Sequence, residues 1–587
     1  MTIIGLDYGT TFSTLSIVLP TESYIFEQAG SEFIPSLVAI DRSGLVKFGF
    51  DVIDLENSTT ACFKDMKRWI GIDERSSQDR LDMLRPSYRV SFGYDQYQTK
   101  IGPYNELANK DYMLSLNFLV CAYIRAVILQ FESNLEFKCT GIVLSVPANF
   151  SSQQRAYMFS LSRGIGVKIL HIMNEPSAAL FATVCSIKKE LPEYDLYLVY
   201  DFGGGTFDVS VVERYGNMYT VILSSGDDAL GGRDIDNAIV GYIYDTQGIH
   251  ISSKQAAELK EKVSISKDHQ SIMVSNELPV TLYYYELEQL SAPYVARASN
   301  VLYNTIVNAR IHDKVNLVPI GGSVLLPNAI QSAVNRIASY YKETLMFPRF
   351  RTAVSEGCSL VSTTISSKGH VFVDCVTKTI SSPQNYIRTK PIIPVGSPLP
   401  CTGRVNYSSD QQNIYYTVPV YEGDSNRVIN NTLLVSVTIR RRDLDIPEHV
   451  PLNCDLVVEL DSTGCLKVYV ESKVLTMKKI DFTPSQYIPT ISSINYRPYT
   501  KRHEQVDNRA LVDYCISQEG DKSLYQNIDT YNEYIHHLNS TTATSLNIKQ
   551  PLVNGALYPS EVSSELFTKL ISRPTFLPGF GYNKYLF

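Results

Sequence analysis

The chain has 587 residues, of which 44% are hydrophobic and 19% charged; at roughly 150 residues per domain this predicts about three or four folded domains and excludes disorder and fibrous repeats. A net charge of -7 supplies no electrostatic reason for nucleic acid to be the main partner, and no direct nucleic-acid site is expected. Ten scattered cysteines without a C-x-x-C pair read as reduced thiols of a cytosolic protein, and the absence of a basic start followed by an apolar signal core argues against secretion.

In chain order, IIGLDYGTTFSTLSIV (Ile3 to Val18) reads as strand, Asp-x-Gly turn and second strand. FKDMKRWIG (Phe63 to Gly71) follows. The apolar segment Met113 to Phe131 contains Asn117 and Arg125, so a buried helix is expected rather than a membrane span. IMNEPSAA (Ile172 to Ala179) opens a helix with Glu175 in its first turn, where the helix dipole favours an acid. LYLVY then leads into DFGGGTFDVSVV (Asp201 to Val212), which repeats the pattern of the N-terminus. Downstream, VVELDSTGCLKVYV (Val457 to Val470) is a hairpin with Leu466, Val468 and Val470 on one face. Arg440, Arg441 and Arg442 read as a solvated strand end, and Cys62, Cys121 and Cys139 as buried packing.

Consecutive glycines are needed where the backbone takes positive φ or approaches a ligand closely. Gly203, Gly204 and Gly205, leaving a strand, can turn successive N–H groups toward an anion. Taken alone, such a run is equally a glycine-rich turn with no ligand. Its flanking Asp201 and Asp208 would face phosphate badly, so a divalent cation, Mg²⁺ bridged through waters, is expected beside them, with the Thr206 hydroxyl at the same edge. The two copies predict similar half-domains, with a phosphate lying between Asp7 and Asp208. No G-x-x-x-x-G-K-[ST] run occurs, which excludes the common P-loop.

These stretches, with SVPANFSSQQR (Ser145 to Arg155), LGGRDIDN (Leu230 to Asn237) and IGGSVLLP (Ile320 to Pro327), resemble in order and spacing the seventy-kilodalton heat-shock chaperones. The resemblance implies an α/β actin-like, two-lobed ATPase domain over 1–367, an interdomain linker at 368–376 around VFVDCV, an antiparallel β-sandwich over 377–482, and a divergent C-terminal region, 483–587, with some helix. It assigns phosphate binding to Asp7, Gly9, Thr10, Thr11 and Phe12, and it gives Lys67 the task of positioning the attacking water. Glu175, Asp201, Thr206 and Asp208 complete the catalytic set, with Asp7 and Asp208 holding Mg²⁺ through water. Positioning and charge stabilisation are most of what phosphoryl transfer requires. ATP and ADP would also meet Gly203, Gly204 and Gly205, and on the adenosine side Lys260, Ser264, Gly321, Gly322 and Ser323. The expected activity is a slow, Mg²⁺-dependent ATPase.

Three positions depart from the family: Leu325 stands where an arginine usually flanks adenine, Arg233 where an acid follows the double glycine, and Arg351 where an aspartate is typical. A lost arginine stack removes about 1–2 kcal/mol, or about tenfold in affinity. In the second half, the peptide arch of the family is apolar, whereas Thr377 to Asn385 reads TKTISSPQN; this makes a general peptide-binding chaperone a remote alternative. PVYEGDSNRVINNTLL (Pro419 to Leu434) resembles the β-sandwich and argues against a small-molecule kinase on the same fold. SLYQNIDTYNEYIHHL is expected to be helical, and GFGYNKYLF lacks an acidic cochaperone-recruiting tail. The kept nucleotide cleft and diverged C-terminal half are similar to the heat-shock chaperone homologues of plant closteroviruses. That likeness implies roles in virion-tail assembly and cell-to-cell movement, with viral coat and other virion proteins as partners, together with host movement machinery or J-domain cochaperones. The location implied is host cytoplasm, virion and plasmodesmata. ATP would close the lobes around the 371–376 linker and hydrolysis would release it. The alternative is a structural virion subunit whose ATPase fold is a docking scaffold.

Overall fold

The computed structural model describes residues 2–481, apart from 20–22, 41–45, 75, 94–95, 136–137, 188–190, 228, 275–277, 366–370, 410–414, 448–449, 451 and 473–477. The helix expected in SLYQNIDTYNEYIHHL and the terminal GFGYNKYLF lie outside the described residues. Chain contacts divide the described protein into two units, one built from Met1–Leu144 with Gln153–Ile172, the other from Ser145–Ser152 with Met173–Pro484.

The first unit is organised by strands β1 (Thr2–Tyr8), β2 (Phe12–Val18), β3 (Ser23–Ile25), β4 (Cys139–Val146) and β5 (Ile169–Asn174), in the order β5-β4-β1-β2-β3. β1 and β2 are antiparallel, while β1 runs parallel to β4. Their near-continuous apolar runs follow from burial on both faces: Ile4, Leu6, Leu15, Ile142 and Leu144 are all inaccessible or nearly so. Helix α1 (Leu116–Leu135) is long and apolar enough to cross a membrane, yet 89% of its apolar window is buried inside the protein, as expected of a core helix. Burial pushes the thiols of Cys62, Cys121 and Cys139 up to about 12, which suits packing and suppresses thiolate chemistry.

The second unit repeats this plan. Strands β6 (Tyr194–Phe202), β7 (Phe207–Tyr215), β8 (Met218–Asp227), β9 (Val315–Ile320) and β10 (Tyr341–Thr344) lie in the order β10-β9-β6-β7-β8. β6 and β7 are antiparallel and β6 is parallel to β9, so each hairpin occupies the same place in its sheet. Helix α2 (Glu175–Ser186) begins at Glu175 with Pro176 in its first turn, a position where proline's missing N–H costs nothing. Strand β11 (Val371–Val373) extends this sheet by running parallel to Met218–Thr220 at the outer edge of β8. Phe372 packs there against Phe181 and Tyr219, with ring centroids 4.9 and 5.0 Å apart.

Beyond β11, the second unit contains two four-stranded antiparallel sheets around a shared core that includes Ile380, Val420, Val437, Leu456, Val468 and Val470. The expected hairpin is present, with Leu460 opposite Leu466 and Val458 opposite Val468. One detail corrects the sequence reading and a second adds to it. Arg440 and Arg442 are exposed as expected, but Arg441 is buried: its guanidinium donates to the carbonyls of Pro447, at 3.1 Å, and Val450, at 2.5 Å, satisfying the polar head that burial would otherwise penalise. The polar stretch Thr377 to Asn385 ends abruptly at Tyr386 and Ile387, which are exposed at a loop tip together with Ile429. Val428 N–H donates to the Ile387 carbonyl at 2.8 Å and joins the two loops, so three exposed apolar side chains stand beside the polar stretch, among exposed Gln384, Asn385, Arg388 and Arg427.

Candidate functional site

The predicted residues fall into two groups, one in each unit. In the first, Asp7 stands opposite Thr14 and Tyr8 opposite Ser13, leaving Gly9, Thr10, Thr11 and Phe12 as the turn. A Cβ at Gly9 would lie 2.0 Å from the Phe12 carbonyl oxygen, so only glycine permits this tight reversal. Thr11 Oγ1 is buried and has no hydrogen-bond partner among the described residues. A hydroxyl so placed costs free energy until an acceptor or donor meets it, which fits a phosphate or its water shell.

Sequence reasoning missed Ser36, which supports this turn from another segment. Its hydroxyl donates to the Gly9 carbonyl at 2.7 Å and lies 3.0 Å from the Ser13 hydroxyl, while its N–H donates to the Thr11 carbonyl at 2.8 Å. No sequence signal marks it, because a serine after Ile34-Pro35 looks like any loop residue. Lys67 sits in a 3-10 turn, Met66–Trp69, whose preceding residue, Asp65, takes the left-handed conformation with φ 60°. The turn is clamped by Trp69 Nε1 donating to the Tyr88 hydroxyl at 3.0 Å and that hydroxyl donating to Asp65 Oδ2 at 3.1 Å. The Lys67 side chain is thereby held in a buried position, 7% exposed.

The second group is denser. Asp201 and Asp208 are directly opposite each other on β6 and β7, and Phe202 opposite Phe207 closes a turn made of Gly203, Gly204, Gly205 and Thr206. Like charges on facing residues destabilise a strand pair; a divalent cation or its waters beside them offsets that cost, so the donor set fits Mg²⁺. Glycine is favoured at Gly226, where a Cβ would lie 2.9 Å from the Phe207 carbonyl oxygen and 2.5 Å from Asp208 Oδ1.

The three glycines have a structural task as well. Gly203 and Gly204 carbonyls accept from the N–H groups of Gly232 and Arg233, at 3.1 and 2.9 Å. Those residues open helix α3 (Gly232–Gln247). A Cβ at Gly231 would come within 2.6 Å of the Gly205 backbone, so two glycine turns interlock. The signal was present in LGGRDIDN, but nothing in the sequence says what its glycines touch.

On the adenosine side, Lys260 and Ser264 lie one turn apart on helix α4 (Ser253–Ser266). Lys260 Nζ is 2.6 Å from Asp236 Oδ1 and donates to the Gly232 carbonyl at 2.8 Å. Burial pushes the Asp236 carboxyl above its ordinary value, against the opposing pull of Lys260. Gly321 takes φ +83°, and its Cβ would lie 2.8 Å from Asp201 Oδ1. Ser323 Oγ donates to the Gly203 carbonyl at 2.9 Å, so Gly321, Gly322 and Ser323 are joined to the triple-glycine turn. The structure therefore brings Asp201, Gly203, Gly204, Gly205, Thr206, Asp208, Lys260, Gly321, Gly322 and Ser323 into one connected framework in the second unit. Glu175, at the start of α2, is 8% exposed and Ser264 is 7% exposed.

The segment Ser145–Ser152 is tied to the antiparallel sheets of the same unit, since Ser152 N–H donates to Glu422 Oε1 at 3.0 Å. The β11 segment is tied as well: Ser177 Oγ donates to Asp374 Oδ1 at 3.1 Å and Leu399 N–H to the Asp374 carbonyl at 2.7 Å.

With this geometry established, comparison with known proteins is informative. Residues 3–490 match the family described as "Hsp70 protein". Relatives include "Movement protein Hsp70h" of Beet yellows virus (isolate Ukraine), 32% identical over 448 residues, covering 72% of this chain and 73% of that protein. The protein of the same description from Lettuce infectious yellows virus is 30% identical over 516 residues, covering 86% and 89%. That of Grapevine leafroll-associated virus 3 is 28% identical over 529 residues, covering 88% and 92%.

Proposed function

Since the chain belongs to the Hsp70 family, we propose that it binds ATP and ADP with Mg²⁺ and hydrolyses ATP slowly. The resulting conformational change would serve assembly and cell-to-cell movement of a plant virus. The observation that carries the nucleotide reading is the doubled hairpin: two turns of equal length, Gly9 to Phe12 and Gly203 to Thr206, each preceded by an aspartate at the same register in sheets of the same strand order. The hairpin to which this reading gives the phosphates is thus present twice. The names of the viral relatives support the movement role.

In this reading Gly9, Thr10, Thr11 and Phe12 take the β- and γ-phosphates, and the Gly203–Gly205 turn meets phosphate through Gly204 and Gly205, since the Gly203 N–H donates to the Thr206 carbonyl at 3.1 Å. Lys67, held by its clamped turn, orients the attacking water and offsets charge developing on the phosphoryl oxygens. Asp7 and Asp208 hold the metal through water, while Glu175, Asp201 and Thr206 order that shell. Bound Mg²⁺ would supply charge neutralisation for the phosphates. The nucleotide-binding part is assigned to 1–367, the linker to 368–376, the sandwich to 377–482 and a docking region to 483–587. Virion coat proteins, host movement machinery and J-domain cochaperones are the partners this reading implies, in host cytoplasm, virions and plasmodesmata.

The test is single-turnover ATP hydrolysis with Mg²⁺ by the wild-type protein beside Lys67→Ala, with circular dichroism as the fold check. Slow hydrolysis that falls by about 100-fold or more in the variant supports the reading. Absence of turnover in a folded wild-type protein overturns it and leaves the virion scaffold.

A further inference from the structure

Two loops of one antiparallel sheet meet at the tip that carries Tyr386. One joins strands Ile380–Pro383 and Thr389–Ile393, and the other joins Tyr415–Glu422 and Thr432–Arg440. Tyr386 is 102% exposed, Ile429 88% and Ile387 68%, so the three most exposed large apolar side chains among the described residues are gathered at this one place. Every charged side chain of segments 384–390 and 425–431 is a cation: Arg388, Lys390 and Arg427, all exposed. Asp424, the acid next to them in sequence, accepts from the Thr379 N–H at 3.0 Å. The tip is also hydrogen-bonded within itself. Asn385 Oδ1 accepts from the N–H groups of Ile387 and Arg388 at 2.9 and 2.8 Å, and Asn431 Nδ2 donates to the carbonyls of Ser425 and Arg427 at 2.8 and 2.9 Å. Besides the bond from Val428 to Ile387, the Thr389 N–H donates to the Asn426 carbonyl at 3.1 Å. These backbone groups already have partners, which removes much of the cost of taking them out of water.

Side chains that stand this clear of their neighbours line no groove, and a groove is what an extended or helical peptide needs to bury its own apolar groups. The interface of a bilayer needs no concavity: it takes apolar side chains that protrude, holds tyrosine at headgroup level, and draws in cations where the lipids are anionic. We propose that this tip docks on an anionic lipid surface, with Ile387 and Ile429 entering the acyl boundary, Tyr386 at the headgroups, and Arg388, Lys390 and Arg427 against the lipid charges. A chain of net charge -7 is repelled by such a surface except where cations are gathered, so the contact is oriented. The proposal goes beyond the nucleotide reading and stands without it, since none of these six residues belongs to the nucleotide set.

The experiment is flotation of the full chain with vesicles of phosphatidylcholine, alone or mixed with phosphatidylserine, with circular dichroism as the fold check. The wild-type protein is expected to rise with the mixed vesicles and far less with phosphatidylcholine alone. Ile387→Ser combined with Ile429→Ser should lower partitioning to mixed vesicles by about tenfold or more. Arg388→Gln combined with Arg427→Gln should lower it by about 10- to 30-fold and leave the weak binding to phosphatidylcholine unchanged. Tyr386→Trp should show a blue-shifted fluorescence on mixed vesicles, because its ring enters the interface. A folded wild-type protein that floats with neither vesicle overturns the proposal, as does unchanged flotation of the isoleucine pair variant or flotation of Tyr386→Trp without a spectral shift. Binding of an apolar peptide that depends on Ile387 and Ile429, in a protein that ignores both vesicles, also overturns it and assigns the tip to a protein partner. Should the isoleucine pair variant fail to fold, the arginine pair variant and the Tyr386→Trp spectrum decide.

Discussion

The two hairpins share a backbone and differ in what holds it. Below the turn at Gly203 to Thr206, Phe202 and Phe207 face each other with ring centroids 5.3 Å apart, and Tyr200 packs 4.9 Å from Phe207. Below the turn at Gly9 to Phe12, the corresponding pair is Tyr8 and Ser13, and support comes from the Ser13, Ser36 and Gly9 hydrogen bonds. Facing Asp7 is Thr14, whereas facing Asp201 is Asp208. One architecture thus tolerates an apolar or a polar foundation. What it keeps is the turn length and the leading aspartate. The second hairpin concentrates negative charge and interlocks with a second glycine turn, while the first carries buried hydroxyls. Under the proposed nucleotide function this contrast would divide the labour, with charge balancing by the second hairpin and phosphate contact by the first.

Three substitutions break or sharpen this contrast. Gly231→Ala drives a methyl group into the Gly205 backbone at 2.6 Å, where neither partner can retreat into a flexible side chain. We expect a loss of about 3 kcal/mol, seen as a lower denaturant midpoint with unchanged slope. If stability is retained, the interlock is looser than described. Asp208→Asn removes one of the two facing charges and leaves the hairpin closed by its aromatic pair. The Mg²⁺ concentration needed for half-maximal ATP binding should rise by about 10- to 100-fold while thermal stability stays level or improves. An unchanged Mg²⁺ requirement would assign the metal to other residues. Ser36→Ala withdraws the hydroxyl from Gly9 and should cost about 1 kcal/mol, together with a severalfold loss of triphosphate affinity that spares the base contribution. A purely structural Ser36 would lower stability and leave triphosphate binding untouched.

How far these features could be read from the sequence depends on how locally they are determined. Both hairpins were legible because strand, aspartate, glycine and threonine are consecutive, and the hairpin Val457 to Val470 was legible from its alternation and its Asp-Ser-Thr-Gly turn. Lys67 and Glu175 came from resemblance, and the folded chain adds why they are held: the Trp69, Tyr88 and Asp65 clamp for one, a helix first turn for the other. Ser36 was hidden because its partner Gly9 is 27 residues away and serine carries no periodic signal. Of the triple arginine, Arg440 and Arg442 are exposed at a strand end as expected and Arg441 departs, for a related reason. Composition marks three cations as surface, but the carbonyls of Pro447 and Val450 allow Arg441 to be interior. At the tip beside TKTISSPQN, the next two residues decide the character of the surface, and Tyr386 stands fully exposed.

Strand β11 covers only the first three of the ten residues of β8, Met218 to Thr220. An open sheet edge is a row of unsatisfied backbone groups that invites pairing with another chain. β11 therefore works as an edge guard: were it to leave, three residues of edge backbone and the faces of Phe181 and Tyr219 would open together. Release of this strand would therefore expose that short margin together with the two rings against which Phe372 packs.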